Sequence, residues 1–345
     1  MIYDITLKIA YDYPDQVKDA RHILRVRPSQ EPSQTVWGAE IDISPRPGER
    51  VLDQDFFGNT LDHVLLFQPH QALKITMRSR VEIHRAAPDL EATPTVAEIV
   101  RAAFASRDVS GRGPMHYLGD SRIAHASEAM TAYARKHVAM DAPIGVAMLA
   151  FAKAITKEFA YKPGATTVNT PVDEAFAARK GVCQDFAHIM ISALRGIGVP
   201  AAYVSGFLRT IPPAGRPRLE GADAMHAWVK VWLGDQLGWR GFDPTNAMAT
   251  RDDHIVVAVG RDYSDVAPID GVLITAGPQK TRHTVDVIPL GEPQPVPAPD
   301  ADKAEATEDE AAEAVAEAEA KDDAEAAPAA IQAPPTAPGL PAAKA

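Results

Sequence analysis

The spacing of apolar residues changes along this sequence, and the order of the changes limits the folds open to it. Near the start, Tyr3, Ile5, Leu7, Ile9 and Tyr11 recur every second residue, the period of a strand with one buried face. Further short runs of this kind, separated by Pro, Gly, Asn and Asp, are Arg21 to Arg27, Val36 to Ile43, Leu61 to Phe67 and Leu73 to Ile83. Residues 1–85 therefore predict an antiparallel β-sandwich domain.

Helical spacing replaces the strand period after a Pro-containing connector, and strands then return. The predicted helices are Val96 to Ser106, Ile123 to Val138, Ile144 to Phe159 and Asp185 to Arg195. The predicted strands after them are Ala201 to Phe207, Ala224 to Leu233, Trp239 to Asp243, Ile255 to Gly260, Val272 to Ala276 and His283 to Ile288. Helices followed by strands favour an α+β domain over residues 86–290, not an alternating α/β fold.

The end of the chain differs in composition from the rest. Residues 291–345 are rich in Ala, Pro and Glu and contain 13 acidic residues against 3 lysines, so they hold most of the net charge of −11. We expect this acidic tail to be disordered, because it has too few large apolar residues to offset the entropy of ordering. It is most simply a solubilising extension, and docking of a partner protein is the alternative. The remaining body is nearly neutral, which argues against nucleic-acid binding.

Cysteine usage and apolar runs exclude several classes of protein. Cys183 is the single cysteine, so no intramolecular disulfide and no Cys-based zinc or iron–sulfur site can form, and we expect no metal and no cofactor. Met1 to Pro14 does not resemble a secretory signal, and the longest uncharged apolar stretch, Ala142 to Ala152, is too short to span a bilayer. A cytoplasmic protein that binds no membrane is the expectation.

Cys183 stands where a thiol becomes reactive. It follows Lys180, Gly181 and Val182 and precedes the amphipathic stretch Asp185 to Arg195, so it falls in the first turn of a predicted helix. Unpaired N–H groups and the helix dipole favour a thiolate there. The alternative is a small buried hydrophobic residue without chemistry.

A histidine and a carboxylate on neighbouring strands supply candidate partners for that thiol. His226 and Trp228 share one face of the strand Ala224 to Leu233. If Gly234 and Asp235 form a two-residue turn, His226 lies directly opposite Asp243, close enough for a hydrogen bond. A longer turn would shift this register, and His226 could also be a strand histidine packed among tryptophans.

Three blocks of sequence carry a family resemblance. Gly181 to Ala187 (GVCQDFA), His226 to Val231 (HAWVKV) and Gly238 to Thr245 (GWRGFDPT) resemble, in this order, the core of the transglutaminase-like superfamily of cysteine enzymes. The N-terminal β region, with Asp55 to Asn59, resembles the domain that precedes this core in bacterial members. The resemblance implies a papain-like core with Cys183 as nucleophile, His226 as base and acid, and Asp243 as the orienting carboxylate.

The resemblance also suggests residues that bind substrate or the oxyanion. The backbone N–H of Cys183 is the natural first oxyanion donor. Gln184, Tyr161 and Trp228 are candidates for further oxyanion or substrate contacts, although Gln184 could simply cap the helix and Tyr161 could be a core residue. Gln184 stands where tissue-type transglutaminases carry tryptophan, and no calcium-site motif is present, so calcium activation is not implied.

These residues predict a cysteine-dependent hydrolase that cleaves amide or isopeptide bonds of a protein or peptide through a thioester. Water at about 55 M is the default acceptor unless a pocket binds an amine at high effective concentration. A protein-glutamine acyltransferase is the first alternative. A non-catalytic peptide-binding scaffold is the second.

Overall fold

The computed structural model describes residues 1–87, 89–211, 218–219, 221, 223–274 and 279–291. The predicted disorder of the acidic tail lies outside these residues, as do most of the loop between Leu208 and Ala222 and the last part of the predicted strand Val272 to Ala276. Among the described residues, no helix is long and apolar enough to cross a membrane.

The N-terminal region is antiparallel β structure, as predicted. Its strands are β1 (Ile2–Leu24), β2 (Gln34–Ser44), β3 (Glu49–Gln54), β4 (Thr60–Leu66) and β5 (His70–Ile83), arranged in the order β2-β5-β1-β4-β3. The register along β1 is irregular between Asp12 and Val17. The first part of β1 pairs with β5 and its last part pairs with β4, so the sheet curls around a core that includes Tyr3, Leu7 and Leu24.

The helical region follows. Its elements are α1 (Val96–Ala105), a 3₁₀ turn (Pro114–Tyr117), α2 (Glu128–His137), α3 (Ile144–Glu158), β6 (Ala160–Tyr161), α4 (Val172–Ala178), β7 (Lys180–Gly181) and α5 (Cys183–Gly196). All four predicted helices are present. The sequence analysis missed α4, which has only seven residues between Pro171 and Arg179.

A second sheet covers the helices and holds the candidate site. Its strands are β8 (Ala201–Leu208), β9 (Ala224–Trp232), β10 (Trp239–Asp243), β11 (Met248–Ala249) and β12 (His254–Gly260), in the order β11-β10-β9-β8-β12. Helix α5 packs on β8 and β9. A short helix, α6 (Tyr263–Val266), follows β12. Together with the curled N-terminal sheet, this arrangement confirms the predicted α+β class.

The predicted register of β9 and β10 was wrong by two residues. The chain reverses through a longer turn in which Leu233 bonds to Gly238, so Phe242 pairs with Val229, and not with Ala227. Because side chains alternate faces with a period of two, a shift of two residues keeps every side chain on its predicted face. Asp243 therefore lies diagonally to His226 on the same face and still reaches it.

The last strands of the chain return to the N-terminal sheet. Strand β13 (Ile269–Ile274) pairs with the last part of β1, and β14 (Lys280–Leu290) pairs with its first part, from Ile2 opposite Leu290 to Asp12 opposite Lys280. The division into domains of residues 1–85 and 86–290 stays a prediction, but the first of these regions forms a sheet with strands from the second.

The two regions are also joined by side chains that bond to the β12 backbone. Asn59 donates to the carbonyl of Val259 at 2.8 Å and accepts its N–H at 2.8 Å. Gln34 likewise donates to the carbonyl of Val256 at 2.7 Å and accepts its N–H at 2.8 Å. Both amides therefore extend the β12 hydrogen-bond ladder into the N-terminal region, which fixes β12 behind the candidate site.

Candidate active site

The first turn of α5 presents Cys183, and a buried carboxylate holds that turn in place. Asp185 accepts the backbone N–H of Val182 at 2.8 Å and the hydroxyl of Thr166 at 2.6 Å, both through Oδ2. Gly181 is required for this close approach, because a Cβ atom at that position would lie 2.5 Å from Oδ2 of Asp185. Cys183, a residue only 9% exposed, is thus fixed at the helix N-terminus.

His226 lies between Cys183 and Asp243. Its Nε2 is 2.8 Å from Oδ2 of Asp243, and His226 and Cys183 line the same cavity. Burial disfavours the charged imidazolium, but the charge and hydrogen bond of Asp243, helped by Cys183, outweigh burial and raise the pKa of His226 to about 10. A protonated imidazole beside the thiol is the state that favours a thiolate.

Asp243 is fully buried and bonded through both oxygens. Its Oδ1 accepts the backbone N–H groups of Thr245 and Asn246 at 2.9 and 3.1 Å. Its Oδ2 accepts the amide of Asn246 at 2.7 Å and faces Nε2 of His254 at 3.1 Å, in addition to His226. Burial alone would raise the pKa of Asp243. Its partners, of which His226 has the largest effect, outweigh burial and hold that pKa well below its usual range. The carboxylate is therefore ionised and fixed in orientation.

Trp228 contacts both histidines from the inside of the protein. Its ring stacks on His226 with centroids 6.0 Å apart and meets His254 edge-on at 5.3 Å. Trp228 was predicted to contact the substrate or the oxyanion, but with 1% exposure it is a core residue that packs against the imidazoles. Its role in the site is to hold His226.

A cavity of about 80 Å³ opens beside the thiol and the imidazole. Gln184 lines it, as expected of a residue next to the nucleophile. Tyr161 is elsewhere, 45% exposed at the surface with its ring against Phe186. The other lining residues are apolar, aromatic or uncharged polar residues and one histidine: Val168, Val182, Tyr203, Ser205, Met225, Ala227, Tyr263, Pro268 and His283.

The ligand atoms of His226, Asp243 and His254 lie within 4.8 Å of one another, so this group could hold a metal ion. Two imidazoles and a carboxylate are ligands of the kind that zinc accepts. In the structure both Nε2 atoms are turned to the same carboxylate oxygen, which also accepts the amide of Asn246. This geometry fits a hydrogen-bonded array whose centre is the carboxylate.

Two partners of Asp243 were not predicted from the sequence. Asn246 follows the Asp-Pro-Thr sequence, and an aspartate that bonds to the backbone two and three residues onward is a known turn signal. His254 is the first residue of β12, just outside the predicted strand Ile255 to Gly260. Only the pairing of strands distant in sequence brings His254 to Asp243, so no local pattern could have found it.

Comparison with known protein families gives two matches in chain order. Residues 3–82 match the bacterial transglutaminase-like N-terminal region, and residues 131–244 match the transglutaminase-like superfamily. The second match ends one residue after Asp243 and contains all three residues of the Cys183, His226 and Asp243 array.

Individual relatives extend the comparison. An uncharacterised protein of Mycobacterium tuberculosis is 34% identical over 291 residues, which cover 83% of this chain and 92% of the relative. A protein-glutamine gamma-glutamyltransferase of Pseudomonas aeruginosa is 39% identical over 94 residues, 26% of this chain and 14% of that protein. A Cytophaga hutchinsonii crystal structure, provisionally assigned as a cysteine protease, superposes with a TM-score of 0.66 at 20% identity, over 85% of this chain and 92% of the other.

Proposed function

Since this chain belongs to the transglutaminase-like superfamily, we propose that it is a cysteine-dependent hydrolase of amide or isopeptide bonds in a peptide or protein. The observation that carries this proposal is the array in which His226 lines one cavity with Cys183 and lies 2.8 Å from a buried, ionised Asp243. A thiol, an imidazole and an orienting carboxylate are the groups that thiol-based acyl transfer needs.

Each step of the reaction has a residue suited to it. The Sγ of Cys183 attacks the carbonyl carbon as a thiolate, because His226 already holds the proton. As the C–N bond breaks, the imidazolium returns that proton to the leaving nitrogen, and a thioester remains on Cys183. Water then attacks the thioester with His226 as base, which releases a carboxylic acid and restores the thiolate–imidazolium pair. Asp243 stays ionised throughout and orients the ring.

The negative charge that develops on the carbonyl oxygen requires donors at the start of α5. The backbone N–H of Cys183 lies in the first helical turn, where such groups have no partner within the helix. Gln184 is the second donor that we propose, because its side chain lines the same cavity. Tyr161 lies at the surface against Phe186, which makes it the weaker candidate.

The cavity chemistry supports hydrolysis over transfer to an amine. Among its described lining residues there is no Asp or Glu, so a cationic amine would find no opposite charge beside the thioester. Water needs no such pocket. The substrate side chain nearest the scissile bond would contact residues such as Val168, Met225 and Tyr263.

A protein-glutamine acyltransferase is the second candidate. It is favoured by the 94-residue similarity to the Pseudomonas aeruginosa enzyme. In that case the thioester on Cys183 would pass to the side-chain amine of a second protein. We also propose that the protein works in the cytoplasm without a cofactor, as its composition suggests.

The test is mass spectrometry of a glutamine-containing peptide library incubated with the full chain, with and without a fluorescent primary amine. A hydrolase gives cleaved or deamidated peptides whose yield the amine does not change, whereas an acyltransferase attaches the amine. Cys183→Ala is the matched control and should remove either product. Equal yields from the wild type and Cys183→Ala would contradict both activities and leave the peptide-binding scaffold.

A further inference from the structure

A second histidine contacts the carboxylate that orients His226. Nε2 of His254 lies 3.1 Å from Oδ2 of Asp243, the same oxygen that His226 contacts. His254 is 1% exposed at the start of β12, so it cannot reach a substrate in this structure. Any influence on the reaction must therefore pass through Asp243 or the neighbouring rings.

The hydrogen bonds of His254 define which of its nitrogens carries the proton. Its Nδ1 accepts the backbone N–H of Arg251 at 3.4 Å, so Nδ1 must present its lone pair. A neutral imidazole that accepts at one nitrogen donates from the other, and Nε2–H then points at Asp243. Burial lowers the pKa of His254, although Asp243 opposes this effect, which favours the neutral ring.

The position of His254 is fixed independently of Asp243. The backbone N–H of His254 donates to the carbonyl of Arg251 at 3.1 Å and closes a tight turn. Arg85, from the connector after β5, donates to the carbonyl of His254 at 2.8 Å and to that of Arg251. The backbone N–H of Arg85 donates to Asp252 at 3.1 Å. This clamp holds the donor in place beside the carboxylate.

We propose that His254 is a positioning residue, a neutral donor whose Nε2–H holds the Asp243 carboxylate in the orientation that pairs with His226. This inference rests on the proposed function, because it assigns His254 a part in the same thiol chemistry. Without this donor, Oδ2 keeps only His226 and Asn246 as side-chain partners. The carboxylate is then less restrained, and the imidazolium that pairs with the Cys183 thiolate is less stabilised.

Two substitutions of equal length separate the donor from the packing. His254→Met fills the space with an unbranched apolar chain, whereas His254→Gln keeps an N–H near the place of Nε2. The readout is the rate of Cys183 alkylation by iodoacetamide at neutral pH, which follows the thiolate fraction and needs no substrate. We expect roughly a tenfold slower rate in His254→Met and a rate within about twofold of wild type in His254→Gln.

A double-mutant cycle tests whether the effect passes through Asp243. Asp243→Ala should itself slow alkylation, and His254→Met should add nothing to it, because the carboxylate that His254 positions is gone. A purely structural role of His254 would slow alkylation equally in both backgrounds. The proposal is overturned if the fold-reductions in alkylation rate of the two single variants multiply in the double variant. It is also overturned if His254→Met alone does not slow alkylation.

His22→Met is the matched control, since His22 is also a buried histidine on a strand but lies in the N-terminal sheet. It should alkylate like the wild type. The wild-type pH profile separates this proposal from the proposed function. If wild-type Cys183 titrates as an ordinary thiol near pH 8.5, the thiol–imidazole pair fails and the proposed function fails with it. If the wild-type thiol is not ordinary but His254→Met alkylates as fast as the wild type, the proposed function stands and only the positioning role is wrong.

Nitrogen NMR of the wild-type imidazoles provides a test that survives if His254→Met does not fold. The signals of His254 are identified by their loss in His254→Gln. We expect the neutral tautomer protonated at Nε2 between about pH 6 and pH 8. A proton on Nδ1, or a charged ring in that range, would contradict the donor role.

Discussion

At the scale of single residues, Asp243 links the stability of the fold to the chemistry of the site. Its charge is what raises the pKa of buried His226 to about 10. Because this folded pKa lies above the unfolded value near 6.5, the pair contributes stability fully below about pH 6.5. That contribution is lost as the pH rises through about 10. The lowered pKa of Asp243 gives stability that is lost only in acid.

We predict that Asp243→Asn removes most of this pH dependence. The free energy of unfolding of the wild type should fall between pH 6.5 and 10, by at most about 1.4 kcal/mol per pH unit from this group. The variant should show a much smaller fall, because its His226 has lost the charged carboxylate that raises its pKa most. Urea unfolding at a series of pH values measures the difference. Parallel curves would show that Asp243 does not set the protonation of His226.

The residues of the site differ in how far sequence could identify them. Cys183 was predicted from its place at a helix start, and His226 and Asp243 from face alternation, and the proximity of the last two survived an error of two residues in register. Trp228 was predicted to contact substrate because strand alternation indicates the face on which a side chain lies, but not how deeply that side chain is buried. His254 reaches Asp243 only through the order of the strands in the sheet.

At the scale of elements, the start of α5 depends on one buried carboxylate. Asp185 accepts from Val182 and Thr166, so it both ends the preceding strand and begins the helix. We predict that Asp185→Ala lowers the free energy of unfolding by about 1–2 kcal/mol, the range for loss of a helix cap. Cys183 alkylation should also become slower at neutral pH and rise more steeply with pH, like that of an ordinary thiol, because the first turn loosens. Urea denaturation and the alkylation profile measure the two effects.

Glu174→Ala is the matched control for this element. Glu174 also stands in the first turn of a helix, α4, but its side chain is exposed. We expect its removal to change the free energy of unfolding by less than about 0.5 kcal/mol. If Asp185→Ala lowered the free energy of unfolding by no more than this amount, the cap would not be what fixes the position of Cys183.

Elements with a long apolar stripe were predictable, and short ones were not. The stripe of α5 includes Phe186, Ile189 and Leu194, all buried as the spacing indicated. In contrast, α4 makes barely two turns, and it packs through Phe176 against Tyr133 and Phe159. Such contacts are tertiary and leave no periodic signal of sufficient length.

At the scale of the whole molecule, the end of the chain completes the sheet formed by its beginning. We predict that a chain ending at Pro268, which lacks β13 and β14, does not fold, because β1 loses partners along both of its parts. Val285 and Val287, fully buried on β14, leave the core with it. Far-UV circular dichroism and solubility report the outcome.

The matched control is a chain ending at Gly291, which keeps both strands. It should give the wild-type circular dichroism spectrum and a melting temperature within a few degrees of the full chain. A well-folded chain ending at Pro268 would show that β1 to β5 form an independent domain, as the predicted boundary near residue 85 implies. Local sequence could not decide this, because strand pairing across more than 250 residues leaves no trace in either strand alone.

The pairing of Ile2 with Leu290 also has a consequence during synthesis. Strands β1 and β5 are complete once Ile83 has been added, but β14 ends some 200 residues later. At a translation rate of about 5–20 residues per second, β1 waits roughly 10 to 40 seconds for its last partner. Throughout that interval the nascent chain presents an unpaired strand edge that could join another nascent chain, so slow translation or crowded polysomes should favour aggregation of this protein.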